Sequence, residues 1–513
     1  MRNNAPIHGV ILLCAGLWAA PLAAQDGPLS VIDWVQQNPQ KPAMTSVALP
    51  IDERNPHRGR PAPAVTVTPL DTQAARIIGL VPASVTGLPQ DLWQNSDPIE
   101  LSNALRALPD FRLPAAQTLL FNALLTEARA PGRDAAEEDL FTLARMTTLR
   151  RYGALDPALA LIEQADATRD LAHFAAYMDL ALLTGEEWRA CSILAAQPHL
   201  APGLSAQIFC AARHGEWATA ALLFDTGRAL DVMSGQDTAA LDRFLNPEVF
   251  DNARPLRRPR AISPLLFRLH EAIGEPLPTG PLPRAYAVAD LRDLSGWKAQ
   301  VEAAERLAET GALPANRLLG LYTDRRPAAS GGVWDRVRAI QQFDTALDTG
   351  SADAVSKTLP SAWVAMQEAG LETTFAGVFV PRLSKIPLSG PARQLAQTLA
   401  LLAPDYAAAA QDVDDALLRA IATGDPTGQH PRDATARAIV AAFDVSAAPP
   451  DLIARAEQGY LGDVILRTLV MLEDGAAGNR RALTRALGTL RALGFDDAMR
   501  RASLQVLLLD RFG

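Results

Sequence analysis

From about residue 97 to the C-terminus, apolar residues recur at the three- and four-residue spacing of amphipathic helices. Prolines stand at the start of several of these segments, as at Pro98 and Pro114. Backbone amides in the first turn of a helix have no acceptor within the helix, so proline, which lacks an N–H, sacrifices no hydrogen bond there. The clearest pair of segments lies near the end of the chain, at 479–493 and 496–509. The pattern therefore predicts an all-α protein.

A short motif recurs within this helical pattern. Gly153, Gly185 and Gly215 follow one another at intervals of 32 and 30 residues, and each stands between two helical segments. Glycine can end a helix in the left-handed conformation, so the motif predicts repeated helix–turn–helix units. A lone helical hairpin cannot bury both faces, and neighbouring units are expected to stack into a curved solenoid. The spacing resembles that of tetratricopeptide repeats, although their full consensus is absent.

The N-terminus has the pattern of a secretory signal peptide. Arg2 supplies a minimal positive region, residues 9–18 are apolar, and Ala24 offers a small residue before Gln25. The apolar run is too short to span a bilayer comfortably. We therefore predict cleavage after Ala24 and export to the periplasm, with an uncleaved anchor as the alternative.

Proline-rich stretches divide the rest of the chain. Seven prolines lie between Pro255 and Pro283, around one possible helix at 264–273, and residues 64–68 could form one short strand. The predicted organisation is a signal peptide (1–24), an extended or poorly ordered segment (25–96), a first helical-hairpin half (97–250), a Pro/Arg-rich connector (251–286) and a second helical half (287–513).

Three cysteines occur in the chain, and signal cleavage removes Cys14. The remaining pair, Cys191 and Cys210, lies on either side of a proline-flanked turn within 197–203. The two cysteines are about equally far from that turn, so an antiparallel hairpin would place them at the same height. In an oxidising compartment this predicts a disulfide, with two buried free thiols as the alternative.

The net charge of −9 and the pI near 5.4 argue against general binding to nucleic acid or to anionic lipid. Two basic groups nevertheless stand out as candidate partner contacts, although a solvated linker explains the first more simply and local helix capping the second. They are the cluster Arg254, Arg257, Arg258 and Arg260, and the pair Arg325 and Arg326 before Gly331 and Gly332.

Catalytic motifs are fragmentary. Ser295 and Lys298 have the Ser-x-x-Lys spacing of penicillin-binding proteins, but the companion motifs are missing, and a serine capping the next helix explains the residue. His270 and Glu271 begin like a zinc-protease motif, but Gly274 stands where the second histidine belongs. The sequence assigns no catalytic residue, no metal ligand and no cofactor.

Three strings, FCAARHGEW at 209–217, GWKAQ at 296–300 and RRPAASGGVWDR at 325–336, resemble an exported helical family of alphaproteobacteria. That family has no characterised activity, and some of its members carry an antifreeze-like label that reflects alanine content. The resemblance implies an exported all-helical protein. It transfers no activity and no site residues.

Two classes of function remain open. The first is a non-enzymatic periplasmic scaffold that binds another envelope protein along a helical surface, for example an accessory of the flagellar motor. The second is an enzyme that acts on cell-wall or polysaccharide material with dispersed carboxylates. The repeats and the missing catalytic motifs favour the scaffold.

Overall fold

The computed structural model of the protein describes residues 76–132, 134–292 and 294–509. The predicted signal peptide, and the predicted strand at 64–68, lie outside these residues. The all-α prediction is confirmed, because the only strands in the described part of the chain are β1 (Ile77–Ile78) and β2 (Ala128–Arg129), which pair antiparallel.

Ten helices lie in the described residues between 76 and 250. They are α1 (Ala83–Thr86), α2 (Pro98–Ala107), α3 (Pro114–Leu125), α4 (Ala135–Tyr152), α5 (Leu155–Gln164), α6 (Leu171–Thr184), α7 (Glu187–Ala196), α8 (Leu204–Arg213), α9 (Trp217–Ala229) and α10 (Gly235–Leu245).

Fifteen more follow in the described remainder of the chain. They are α11 (Pro264–Ala272), α12 (Ala287–Asp290), α13 (Trp297–Ala308), α14 (Ala315–Thr323), α15 (Val333–Asp348), α16 (Ala352–Glu368), α17 (Glu372–Leu383), α18 (Gly390–Leu402), α19 (Tyr406–Ala409), α20 (Ala416–Thr423), α21 (Ala434–Ala441), α22 (Pro450–Glu457), α23 (Leu461–Ala476), α24 (Arg480–Ala492) and α25 (Asp496–Leu508). Short 3₁₀ turns occur at Pro198–Leu200, Pro247–Phe250, Arg284–Tyr286, Ala410–Asp412 and Val445–Ala447.

The glycine-ended hairpins form as the motif indicates. Gly153, Gly185 and Gly215 have φ angles of 87°, 85° and 82°, the left-handed conformation that ends the preceding helix. Each helix from α4 to α10 packs against the next one along the chain. In the first helical half each helix therefore packs against its neighbours along the chain, and we call α4 to α10 the hairpin stack.

The N-terminal segment is ordered where it meets this stack. The sequence predicts an extended or poorly ordered segment over 25–96, and in its described part, 76–96, Leu88, Leu92 and Trp93 are fully buried. Trp93 packs closely against Gly462 in α23, where an added Cβ would lie 2.2 Å from its ring. Residues 76–96 thus belong to the packed body, because the large apolar side chain of Trp93 is buried against α23, a helix far away in the sequence.

The chain closes on itself instead of ending as an open solenoid. The amide of Ala115 donates to Gln505 Oε1 at 2.8 Å, and Arg112 Nε donates to Glu473 Oε1 at 3.1 Å. Helix α3 packs against α4 on one side and against α23 and α25 on the other. The reason is its composition, because nine of the twelve residues of α3 are buried and a helix this apolar needs cover on most of its circumference.

The proline-rich connector also packs into the body. Its helix α11 matches the predicted 264–273 within a residue and contacts both α6 and α10. Leu266, Phe267 and Leu269 of α11 are buried. The two helical halves also meet directly, since Thr310 Oγ1 donates to the carbonyl of Tyr152 at 2.8 Å.

Cys191 in α7 and Cys210 in α8 form a disulfide, as the spacing predicts. Their Cα atoms are 4.9 Å apart, and the intervening turn contains the short 3₁₀ helix Pro198–Leu200. Both residues are almost completely buried. The bond therefore fastens α7 to α8 from inside the core.

We expect neither Cys191 nor Cys210 to react with a thiol reagent when the protein is unfolded without reductant, and both to react after reduction. Replacing both by serine is expected to lower the free energy of unfolding by about 3 kcal/mol, because the bond closes a loop of moderate length in the unfolded chain. Mass spectrometry of the labelled peptides and urea denaturation measure the two effects. Full labelling before reduction would contradict the disulfide.

Candidate functional site

The first predicted contact pair, Arg325 and Arg326, lies in an exposed loop between α14 and α15. Arg325 Nε donates to the carboxylate of its neighbour Asp324 at 2.8 Å. The backbone carbonyl of Arg325 accepts from Gln341 Nε2 at 2.5 Å, which fixes the base of the loop. The structure thus places the pair at the surface with part of its charge already neutralised.

The second predicted group forms an extended segment that we call the arginine strap, residues 254–260. All four of its arginine side chains are exposed, and none pairs with a carboxylate of the described residues. Arg243 Nη2 donates to the carbonyl of Arg254 at 2.5 Å, and the amide of Leu256 donates to Glu275 Oε2 at 2.7 Å. The strap is therefore fixed to α10 and to the loop after α11.

No hydrogen bond or ion pair within the described ranges joins the strap to the Arg325–Arg326 loop. The two groups were predicted together as partner contacts, and the structure presents them as separate surfaces.

The most unusual surface feature is a pair of exposed tryptophans, which we call the tryptophan surface (Trp188 and Trp217). Trp188 is 63% exposed and Trp217 is 52% exposed, whereas Trp93 is completely buried. Each follows a glycine-ended turn and stands in the first turn of the next helix, α7 or α9. Exposed side chains of this size are costly in water and are enriched at binding surfaces.

The two tryptophans lie at the same end of the hairpin stack. Glu187 Oε1 in the first turn of α7 accepts from Arg213 Nη2 at the end of α8 at 2.8 Å, which joins the two glycine turns. Trp217 also contacts Phe244 of α10, with 6.2 Å between ring centroids. Because Arg243 precedes Phe244 and binds the strap, the tryptophan surface and the arginine strap are connected through the end of α10.

A buried ionic network supports this end of the stack. Arg268 of α11 donates to Glu187 at 2.5 Å and to Glu271, which also accepts from Arg292 at 2.7 Å. Burial alone would raise the pKa of Glu187, but Arg268 and Arg213 together lower it below its ordinary value of 4.5. Glu187 therefore stays ionised and holds α7, α8 and α11 together.

Three carboxylates form a separate group on the hairpins, namely Asp156, Glu163 and Glu186. The pKa of Asp156 is raised because protein atoms crowd it, although its side chain still reaches solvent, and Glu186 adds to the shift while Arg317 opposes it. No group of the described residues hydrogen-bonds to Asp156. Glu163 and Glu186 share Arg189, at 3.9 Å and 3.3 Å. The group has a perturbed acid but no neighbouring nucleophile placed against it.

One cluster has the composition of a metal site, with ligand atoms of Asp139, Asp170 and His173 within 4.8 Å of one another. His173 is fully buried, with Nδ1 3.0 Å from Asp170 and Nε2 3.6 Å from Asp139. Asp139, however, already accepts from Arg76 and from Arg169 Nε at 2.6 Å. A cation bound there would lie beside two guanidinium groups, so the residues fit an internal charge network better than a metal site.

The fragmentary catalytic motifs have structural contacts. Ser295 Oγ donates to Asp290 at 2.9 Å, so the expectation that it caps α13 was wrong. Lys298 lies 3.6 Å from Glu302 on the same helix and not against the serine. The ring of His270 is within 3.3 Å of a backbone carbonyl, that of Glu275. Ser295 and His270 thus hold turns in place, and Lys298 pairs within its own helix.

A small cavity of about 100 Å³ lies where α3, the turn after α13 and α17 meet. Its lining includes Thr118, Asn122, Thr310 and Thr373, and Asn122 Oδ1 has no hydrogen-bond partner among the described residues. A space of this size and polarity suits a few water molecules. It is too small for a polysaccharide segment.

Comparisons with protein-family models, with curated proteins and with solved structures found no match for this chain. Among the described residues, no helix has both the length and the apolar character that crossing a membrane requires.

The repeat pattern did not identify Trp188 and Trp217 as surface residues. The usable signal was their recurrence directly after the glycine turn, since a helix start at the end of a hairpin is often solvated. Arg268 lies within the predicted connector, and no local pattern indicates its two acidic partners.

Proposed function

We propose that this protein is a non-enzymatic helical-repeat scaffold of the periplasm that binds another protein of the cell envelope. The observation that supports it is the tryptophan surface, two large aromatic side chains left mostly exposed at the same end of adjacent hairpins. Tryptophan and arginine are the residue types that most often dominate the binding energy of protein interfaces. The guanidinium of Arg189 lies over the ring of Trp188 and adds the second of these residue types to the surface.

Rigid support for the two side chains strengthens the proposal. The hairpins that carry them are joined by the buried disulfide and by the Glu187 network, so the surface loses little conformational freedom when a partner binds. The export pattern of the first 24 residues and the disulfide are both compatible with a periplasmic location.

We expect the double variant Trp188→Ala and Trp217→Ala to lose its partner in the cell while it remains folded. In-cell cross-linking of wild type, followed by fractionation and mass spectrometry, identifies the partner in the periplasmic fraction. Removal of two exposed tryptophans is expected to reduce the yield of that cross-linked complex at least about tenfold, as for residues that dominate an interface.

The matched control is Ile99→Ala with Val445→Ala, which removes two exposed apolar side chains from other parts of the surface. Its cross-linking yield should equal that of wild type. Thermal melting by circular dichroism checks that both variants are folded. Full retention of the complex by the tryptophan variant would show that the binding surface lies elsewhere.

A further inference from the structure

The backbone of the arginine strap is restrained along its length and at both ends, unlike that of a solvated linker. Pro255 and Pro259 fix their own φ angles and hold the preceding Arg254 and Arg258 in extended conformations. Both ends of the strap are fixed, since Arg254 and Leu256 bind α10 and the loop after α11, and the carbonyl of Ile262 accepts from Tyr286 at 2.5 Å. The backbone is therefore ordered before any partner arrives.

The charge of the strap is uncompensated. Seven residues carry four exposed arginines with no ion pair to the described residues, in a chain whose net charge is −9. By contrast, the neighbouring Arg243 is neutralised by Glu275. The strap therefore attracts an anion, whereas the acidic remainder of the protein surface repels it.

We propose that the arginine strap, together with Trp217, binds an extended acidic segment of the partner protein. Guanidinium groups pair with carboxylates in bidentate geometry, and an extended chain presents its side chains at a spacing similar to that of the strap. Trp217 and Phe244 lie beside the same end of α10 and offer an apolar contact next to the charges. This inference rests on the proposed scaffold function and adds the chemistry of the partner.

The net negative charge of the protein favours a short protein segment as the ligand of the strap over a membrane or a long polyanion. A membrane surface or a polymer would bring negative charge against the acidic body as well as against the strap. A short acidic segment contacts only the strap, so the arginines attract it and the acidic body is too far away to repel it strongly.

The test uses a fluorescein-labelled extended peptide of glutamates and leucines, and the same peptide with glutamine in place of every glutamate. Fluorescence anisotropy with the full mature protein is expected to show binding of the acidic peptide only. Reversal of three charges, Arg257→Glu, Arg258→Glu and Arg260→Glu, is expected to weaken binding at least about tenfold, since like charges would then oppose the peptide.

The control reverses two exposed arginines on α24, Arg480→Glu and Arg481→Glu, and should leave binding unchanged. Equal loss in the control, or equal binding of the glutamine peptide, would overturn the proposal. Strap-dependent binding to phosphatidylglycerol vesicles without binding to the acidic peptide would also overturn it, in favour of a membrane. If the Trp188/Trp217 variant loses the cellular partner while the strap variant keeps it, the scaffold stands and the acidic-segment inference fails.

Discussion

Replacing Arg145 with methionine is expected to lower the free energy of unfolding by about 3–5 kcal/mol, since several buried carbonyls would lose their donor at once. Arg145 is completely buried in α4. Its guanidinium donates to the carbonyls of Leu124 and Ile78, both at 2.9 Å, and to that of Thr126 at 3.3 Å. These carbonyls belong to the end of α3 and to β1, where regular backbone bonding stops.

Burial lowers the pKa of Arg145 to about 10, so the group remains protonated at neutral pH without a carboxylate partner. Methionine nearly fills its volume, so the expected loss measures the hydrogen bonds more than a cavity. Urea denaturation followed by circular dichroism gives the value. The control, Arg481→Met on the exposed face of α24, is expected to change stability by less than about 0.5 kcal/mol. A loss below about 1 kcal/mol for Arg145→Met would mean that water replaces the guanidinium.

Local chemistry explains why the helices were predictable. Pro98 and Pro114 both stand at the first position of a helix, and Asp97 accepts from the amides of Ile99 and Glu100 as an N-cap. The glycines that end α4 and α6 have the left-handed conformation that the repeat spacing required. Each of these signals lies within a few residues of the boundary that it determines.

The closure of the chain depends on contacts that no local pattern records. The amide of Gly462 donates to the carbonyl of Leu92 at 2.9 Å, and Gly475 allows α24 to approach so closely that a Cβ would lie 2.6 Å from Leu483 backbone atoms. The amphipathic pattern shows that α23 has an apolar face, but it does not identify the residues 92–93 that cover part of it. Long-range pairing of this kind requires shape as well as hydrophobicity.

The candidate surface was predictable only in part. The arginine strap was recognised as a basic cluster, because four arginines between prolines are visible in the sequence. The hydrogen bonds that fix the strap to the body were not predictable from the sequence, since their partners Glu275 and Tyr286 lie after the intervening helix α11. The exposure of Trp188 and Trp217 was also hidden, because a tryptophan in a helical pattern is ordinarily expected in the core.

The ionic network beneath the tryptophan surface leads to the second large effect. Replacing Arg268 with methionine is expected to lower the free energy of unfolding by about 3 kcal/mol at neutral pH, near the low end for a broken buried ion pair. The expected loss is near the low end because each carboxylate retains a second ion pair in the variant, Glu187 with Arg213 and Glu271 with Arg292. Urea denaturation measures the loss. The matched control is Arg228→Met, which breaks the exposed Asp225–Arg228 pair and should cost less than about 1 kcal/mol.

The loss should depend on pH in a direction that the pKa of Glu187 determines. In the folded wild type this pKa lies below 4.5, so the contribution of the ionised carboxylate is complete above pH 4.5 and is lost as the pH falls through the lowered value. The variant lacks most of that contribution at every pH. The difference in stability between wild type and Arg268→Met should therefore be largest near neutral pH and should shrink below pH 4.5. A difference that stayed constant down to acid pH would show that Arg268 acts through packing and not through its charge, and the rigidity of the tryptophan surface would then need another source.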